Sequence, residues 1–219
     1  GEVHDWLHDG GMVVVDRRTQ LRTFMVYRTP VLIGTNGVLK PAVTRRKGAG
    51  GKIVSQPMGA YQSPMPESEW KTVVFDDAEW KRARVPIEKY RGQRSGRRPD
   101  ALHDATPNSI ICARAKFIVS DPAAAGDLKL SMKYVGGAAV FVNGKELVRQ
   151  HLPEGELKAD TPAEKYPDDL YVTADGKYLL HIAKRQTDDE VERYKQRYRY
   201  LNDVTVPSSM LRKGMNVID

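Results

Sequence analysis

Asn143–Gly144 stands between two apolar-rich runs, Ala139–Val142 and Lys145–Val148. A two-residue hairpin loop matches the twist of its strands when both central residues take positive φ, which asparagine and glycine tolerate best. The pair therefore predicts an antiparallel hairpin. Just upstream, Leu128, Leu130 and Met132 alternate with Lys129, Ser131 and Lys133, the pattern of a strand with one face buried and one in water. Met12–Val15 and Leu21–Tyr27 read as a hairpin-like pair around the polar Asp16–Thr19. Val31–Ile33, Asn108–Ser120 and Val204–Val206 add strands, the last stopped by Pro207. A single segment reads as a convincing helix, with Thr187 and Glu190 forming a capping box and acidic residues 188–190 opening it. Arg193, Lys195, Arg197 and Arg199 crowd its end, the charge order a helix dipole favours, and Val191, Tyr194 and Tyr198 share a face. Ser208–Leu211 is expected to form one helical turn, capped by Ser208 and ended by Gly214. Short strands with few helices predict an all-β antiparallel sandwich with one helical insertion.

At 219 residues the chain can bury a core without a disulfide or metal staple. Cys112, the lone cysteine, lies in the apolar run 110–113 and is expected to pack rather than react. Residues 40–69, rich in glycine, proline, serine and lysine, read as a surface excursion or linker and a candidate boundary. They end a strand-bearing N-terminal segment, residues 1–69, read either as an extension ahead of the sandwich at 70–219 or as part of the same sandwich. No stretch approaches the about 18 uninterrupted apolar residues of a membrane span, and Gly1–Gly10 lacks the layout of a signal peptide. The net charge of +7 raises nucleic acid as a partner. Two basic clusters, 45–47 and 91–98, sit in glycine-rich loops, while the third, 193–199, is interleaved with tyrosine. Bases stack on such rings, but with no nucleic-acid motif present a solvated face is the preferred account, and no nucleic-acid partner is expected.

Phe75–Asp76–Asp77–Ala78–Glu79–Trp80 with Val85–Pro86, then Arg114–Ala115–Lys116–Phe117, then Val140 to Lys145, then Val206 to Ile218 follow one another along the chain. In that order they resemble the galactose-binding-like (jelly-roll) domains, such as the sugar-binding domain of β-galactosidase-type glycoside hydrolases. The resemblance covers about residues 70–219, with an insertion at about 150–200. It implies a carbohydrate-binding-like module of a larger exported protein (secreted, periplasmic or cell-surface), with the other domains of that longer chain as partners. The family's closing strand continues past the asparagine matched by Asn216, so a fragment ending at Asp219 is expected. The family often carries a structural calcium, but no carboxylate group here has the spacing of a dedicated loop; no cofactor is expected.

The matched residues have architectural roles in this reading. Asp76 and Asp77 bond nearby amides so that Trp80 swings onto the sandwich; Arg114 sits on a strand; Asn143 and Gly144 fix the hairpin; Pro207, Gly214 and Asn216 shape the closing turn. None performs chemistry. Catalytic residues are not expected, since the H-E-x-x-H, C-x-x-C and G-x-S-x-G patterns are missing and adjacent carboxylates at 76–77, 168–169 and 188–189 rarely straddle a cleft. His4 and His8 have helical ligand spacing, which a frayed terminus explains as well, and no metal site is assigned. A sugar face stacks on exposed rings beside hydrogen-bonding groups. Tyr61, Trp70, Tyr90, Tyr166 and Tyr171 lie in polar, loop-like segments and are the candidates. Packing over a sheet edge is the competing role for each, and for the insertion as a whole. A purely structural or protein-interaction module is the alternative function.

Overall fold

The computed structural model describes residues 13–16, 18–27, 31–33, 39–41, 43–47, 49–57, 63–84, 108–159, 161–171 and 187–219. They fall into two compact units, one drawn from residues 1–70, 74–117 and 219, the other from 71–73 and 118–218. Strand pairing is antiparallel throughout the paired strands given below, and helices are few, so the chain is β-rich.

In the first unit β1 (Gln20–Tyr27) is followed by two short hairpins: β2 (Val31–Ile33) with β3 (Leu39–Pro41), and β4 (Val43–Lys47) with β5 (Ile53–Pro57). Strands β6 (Lys81–Arg84) and β7 (Asn108–Val119) then flank β1 on its two edges. That arrangement corrects one expectation. Val13–Val15 forms no strand beside β1, because both of β1's hydrogen-bonding edges are already taken. Asp16 instead folds the chain back: its Oδ1 accepts from the Arg18 and Thr19 amides at 2.8 and 3.0 Å. The stretch read as a linker also carries structure. Arg45–Arg46–Lys47 pair with Ser55–Val54–Ile53 across a turn in which Gly50 and Gly51 take φ of 73° and 76°. With no apolar alternation, only cross-strand pairing marks these residues as strands. Leu21, Val26, Cys112, Ala115 and Phe117 are buried in this unit, so Cys112 is a core residue.

The second unit opens with a short helix, α1 (Pro122–Ala125), capped by the Asp121 carboxylate. Strand β8 (Leu128–Tyr134) keeps the alternation seen in its sequence, with the lysines and Ser131 exposed. Then come β9 (Ala138–Val142) and β10 (Lys145–Gln150), joined by Asn143–Gly144 at φ of 52° and 84° as expected. Helix α2 (Asp188–Lys195) has both halves of its capping box formed. Strand β11 (Arg199–Val206) pairs with β8, and β12 (Gly214–Ile218) with β9. The Ser208–Met210 turn is present, but its cap is Pro207 with no side-chain bond, and it ends at Leu211. Gly214, at φ of 90°, begins β12 rather than ending that turn. Val140, Phe141, Val142, Leu201, Val206, Leu211 and Val217 are among the buried apolar residues of this unit, each contributing about 1.5–3 kcal/mol if fully withdrawn from water.

Candidate functional site

The segment 75–80 is architectural, by a different division of labour from the one expected. Asp76 Oδ1 accepts from the Ala78 amide at 2.9 Å. Asp77 turns inward. Its carboxylate lies 3.3 Å from Arg114 Nε, 3.2 Å from Lys116 Nζ and 3.6 Å from Arg22 Nε, and the Asp219 carboxylate lies 3.4 Å from the same Arg114 Nε. Arg22 and Arg114 are direct partners across the β1–β7 ladder. Two like charges so placed repel, and Asp77 offsets that repulsion. Trp80 is buried against Phe24, Trp70 and Phe75, with ring centres 5.3, 5.5 and 5.6 Å away. Trp70, a candidate ligand platform, is thus half-buried on Trp80. Arg114, read as a basic residue on a strand, is 1% exposed and also sits over Phe75.

Asn143 and Asn216 join the hairpin to the closing turn of the second unit. Asn143 Nδ2 donates to Asn216 Oδ1 at 2.8 Å and to the Met210 carbonyl at 2.9 Å. Asn216 Nδ2 donates to the Arg212 and Gly214 carbonyls. Both carboxamides are spent on bonds within the fold.

The described part of the insertion packs at the β8 end. Tyr166 accepts from the Gly136 amide at 2.8 Å, and Arg199 stacks 4.0 Å from its ring while donating to the Gly136 and Glu164 carbonyls. Gly137 allows the close approach: a Cβ there would lie 2.4 Å from Leu152 and 2.6 Å from the His151 carbonyl. His151 Nδ1 donates to Glu164 at 2.5 Å, which holds the Glu164 carboxyl below its ordinary range. Tyr166 is therefore a packing residue. Tyr171 ends a 3-10 turn at Asp168–Tyr171, its side chain outside the described residues; Tyr61 and Tyr90 also lie outside them. The basic cluster at 193–199 is not the solvated face expected. Arg197 donates to the Leu170 carbonyl, Arg193 to that of Asp169, and Arg199 as above.

Among the described residues, the exposed ring is one not singled out from the sequence. Tyr200 is 50% exposed on β11, directly opposite Lys133 of β8. The Lys133 ammonium lies 3.5 Å from the Tyr198 ring centre and 6.0 Å from that of Tyr200. Further along the same ladder Lys129 Nζ donates to Thr205 Oγ1 at 2.6 Å, and Ser131 Oγ donates to Asp203 at 3.2 Å. Asp203 takes φ of 51° where the β11 register shifts between Leu201 and Val204; a bulge of this kind re-aims side chains. The face offers a ring, two ammoniums, hydroxyls and a carboxylate. Its signal lay in the alternation of β8, but only the β8–β11 register puts Tyr200 beside Lys133.

A concavity of about 550 Å³ is lined by Glu146, Arg149, Leu152, Glu154 and Gly155. Glu146 and Arg149 make a two-point ion pair there, which lowers the carboxyl and raises the guanidinium. Among the described residues no three His, Cys, Asp or Glu side chains gather as metal ligands, and no helix is long and apolar enough to cross a membrane. Comparison with protein-family models, curated proteins and solved structures finds no match to this chain.

Proposed function

We propose that this chain is a non-catalytic carbohydrate-binding module, a galactose-binding-like β-sandwich carried by a larger exported protein such as a glycoside hydrolase. The observation that carries the reading is Tyr200, an exposed ring on a strand held beside hydroxyl and ammonium donors. A sugar needs that combination: an apolar C–H face stacks on a ring while its hydroxyls find polar partners. Among the described residues, Asp77 is paired with Arg114, Glu146 with Arg149 and Glu164 with His151. Binding to a panel of soluble polysaccharides by affinity electrophoresis tests the proposal. Tyr200→Ala should weaken binding by roughly 30-fold, the scale of losing a central aromatic anchor, at unchanged melting temperature.

The alternative is a structural or protein-interaction module. Trp70 and Tyr166 favour it, since both are consumed in packing. Failure of every polysaccharide to bind, with the fold intact, would leave this second reading standing.

A further inference from the structure

We propose that the β8–β11 face takes an acidic polysaccharide: a uronate ring stacks on Tyr200 while its carboxylate pairs with the Lys133 ammonium. The inference rests on the carbohydrate reading and names the class of sugar. Several cations elsewhere are paired with carboxylates, Arg22, Arg114 and Lys116 at Asp77, Arg149 at Glu146 and Lys195 at Glu192. Lys133 and Lys129 differ. Lys133 meets the Tyr198 and Tyr200 rings and Lys129 meets the Thr205 hydroxyl, with no carboxylate in ion-pair distance of either among the described residues. A ring face attracts an ammonium, so Tyr198 holds Lys133 in place and reduces the side-chain entropy lost when an anion arrives. The 6.0 Å from that ammonium to the Tyr200 ring centre suits one sugar unit, its ring on the tyrosine and its carboxylate at the ring's edge.

The same chemistry, a stacking ring beside a cation, could receive a base and its phosphate. The structure favours the glycan. A nucleic-acid strand needs cations tracking a continuous backbone, yet the neighbouring Arg193, Arg197 and Arg199 are bound to carbonyl oxygens within the fold. Asp203 adds a negative charge on the Ser131 side of the ladder, where a run of phosphates would be repelled. A glycan in which neutral sugars alternate with uronates, as in hyaluronate, tolerates it because the hydroxyls of the neutral sugar can donate to Asp203.

The experiment measures affinity for polygalacturonate, alginate and hyaluronate, each beside its carboxyl-reduced counterpart, with a single-stranded oligonucleotide as competitor. Expected is binding to at least one acidic polymer that weakens with salt, and about tenfold or greater loss on carboxyl reduction. Lys133→Gln should show a similar loss and Lys133→Arg should restore binding, with melting temperatures unchanged. Equal affinity for native and reduced polymers, lost in Tyr200→Ala and kept in Lys133→Gln, overturns the acidic class while leaving the carbohydrate reading intact. Binding of no glycan overturns both. Tighter binding of the oligonucleotide at Tyr200 overturns the glycan in favour of nucleic acid. A Lys133→Gln protein that unfolds is replaced by Lys133→Met, which keeps the aliphatic stem, and the same outcomes apply.

Discussion

Asn216 is fully buried, yet its carboxamide is satisfied at both ends, Oδ1 by the Arg212 amide and Asn143, Nδ2 by the Arg212 and Gly214 carbonyls. Its role in tying the closing turn was legible because an asparagine two residues after a glycine has few other uses in such a loop. Its bond to Asn143 was not legible, since it joins positions far apart in the chain. Arg114 presents the sharper contrast. In sequence it is one more basic residue; in the fold its side chain is 0% exposed between Asp77 and Asp219. Breaking one partner of such a buried cluster strands the opposite charges, whereas an apolar residue of similar volume can be tolerated if the carboxylate goes too. Arg114→Ala should therefore cost about 3–5 kcal/mol in denaturant unfolding. The combined variant Arg114→Met with Asp77→Asn and Asp219→Asn, which removes both carboxylates beside it, should recover a good part of that loss. Equal destabilisation by both would mean that volume, and not charge pairing, governs this position.

The described part of the insertion behaves as an element that covers the β8 end, the role that competed with ligand binding when only its tyrosines were known. Its anchor points are Tyr166 on Gly136, Arg199 on the Gly136 and Glu164 carbonyls, and the His151–Glu164 bond. That last bond gives a pH dependence whose sign follows from Glu164. The carboxyl is held below its ordinary value of 4.5, chiefly by the hydrogen bond from His151. A depressed acid contributes its stability above its unfolded pKa and loses it as pH falls through the lower, folded value. Protection of the Gly136 and Glu164 amides, measured against their intrinsic exchange rates, should accordingly fall below pH 4.5, and Glu164→Gln should remove that acid-induced change. An identical acid response in the variant would place the loosening elsewhere. Helix α2 follows the sequence closely because capping boxes and charge order are local, set within one turn.

At the scale of the whole molecule, the two units do not divide at a single point in the chain. Residues 71–73 belong to the second unit and Asp219 to the first. Lys71 sits 3.9 Å from the Phe141 ring centre, and Asp219 meets Arg114. A cut between residues 117 and 118 therefore removes from each part a side chain that completes it. Residues 1–117 and 118–219 expressed separately should each melt less cooperatively than the intact chain by calorimetry, and mixing them should restore part of the transition. Two sharp, independent transitions matching those of the intact protein would refute this. The sequence by itself determined the strands of β1, β7, β8, β9 and β10, the Asn143–Gly144 turn and the capped α2. Periodicity, turn chemistry and capping act between neighbours, and each needs only a few residues to declare itself. Only the tertiary structure decided which edges of β1 were occupied, that Val13–Val15 formed no strand, that the aromatics Trp70 and Tyr166 were spent in packing, and that Tyr200 stood opposite Lys133. Those outcomes depend on which distant strands pair and in what register, and a register is settled by buried surfaces and cross-strand bonds that no local stretch of sequence contains.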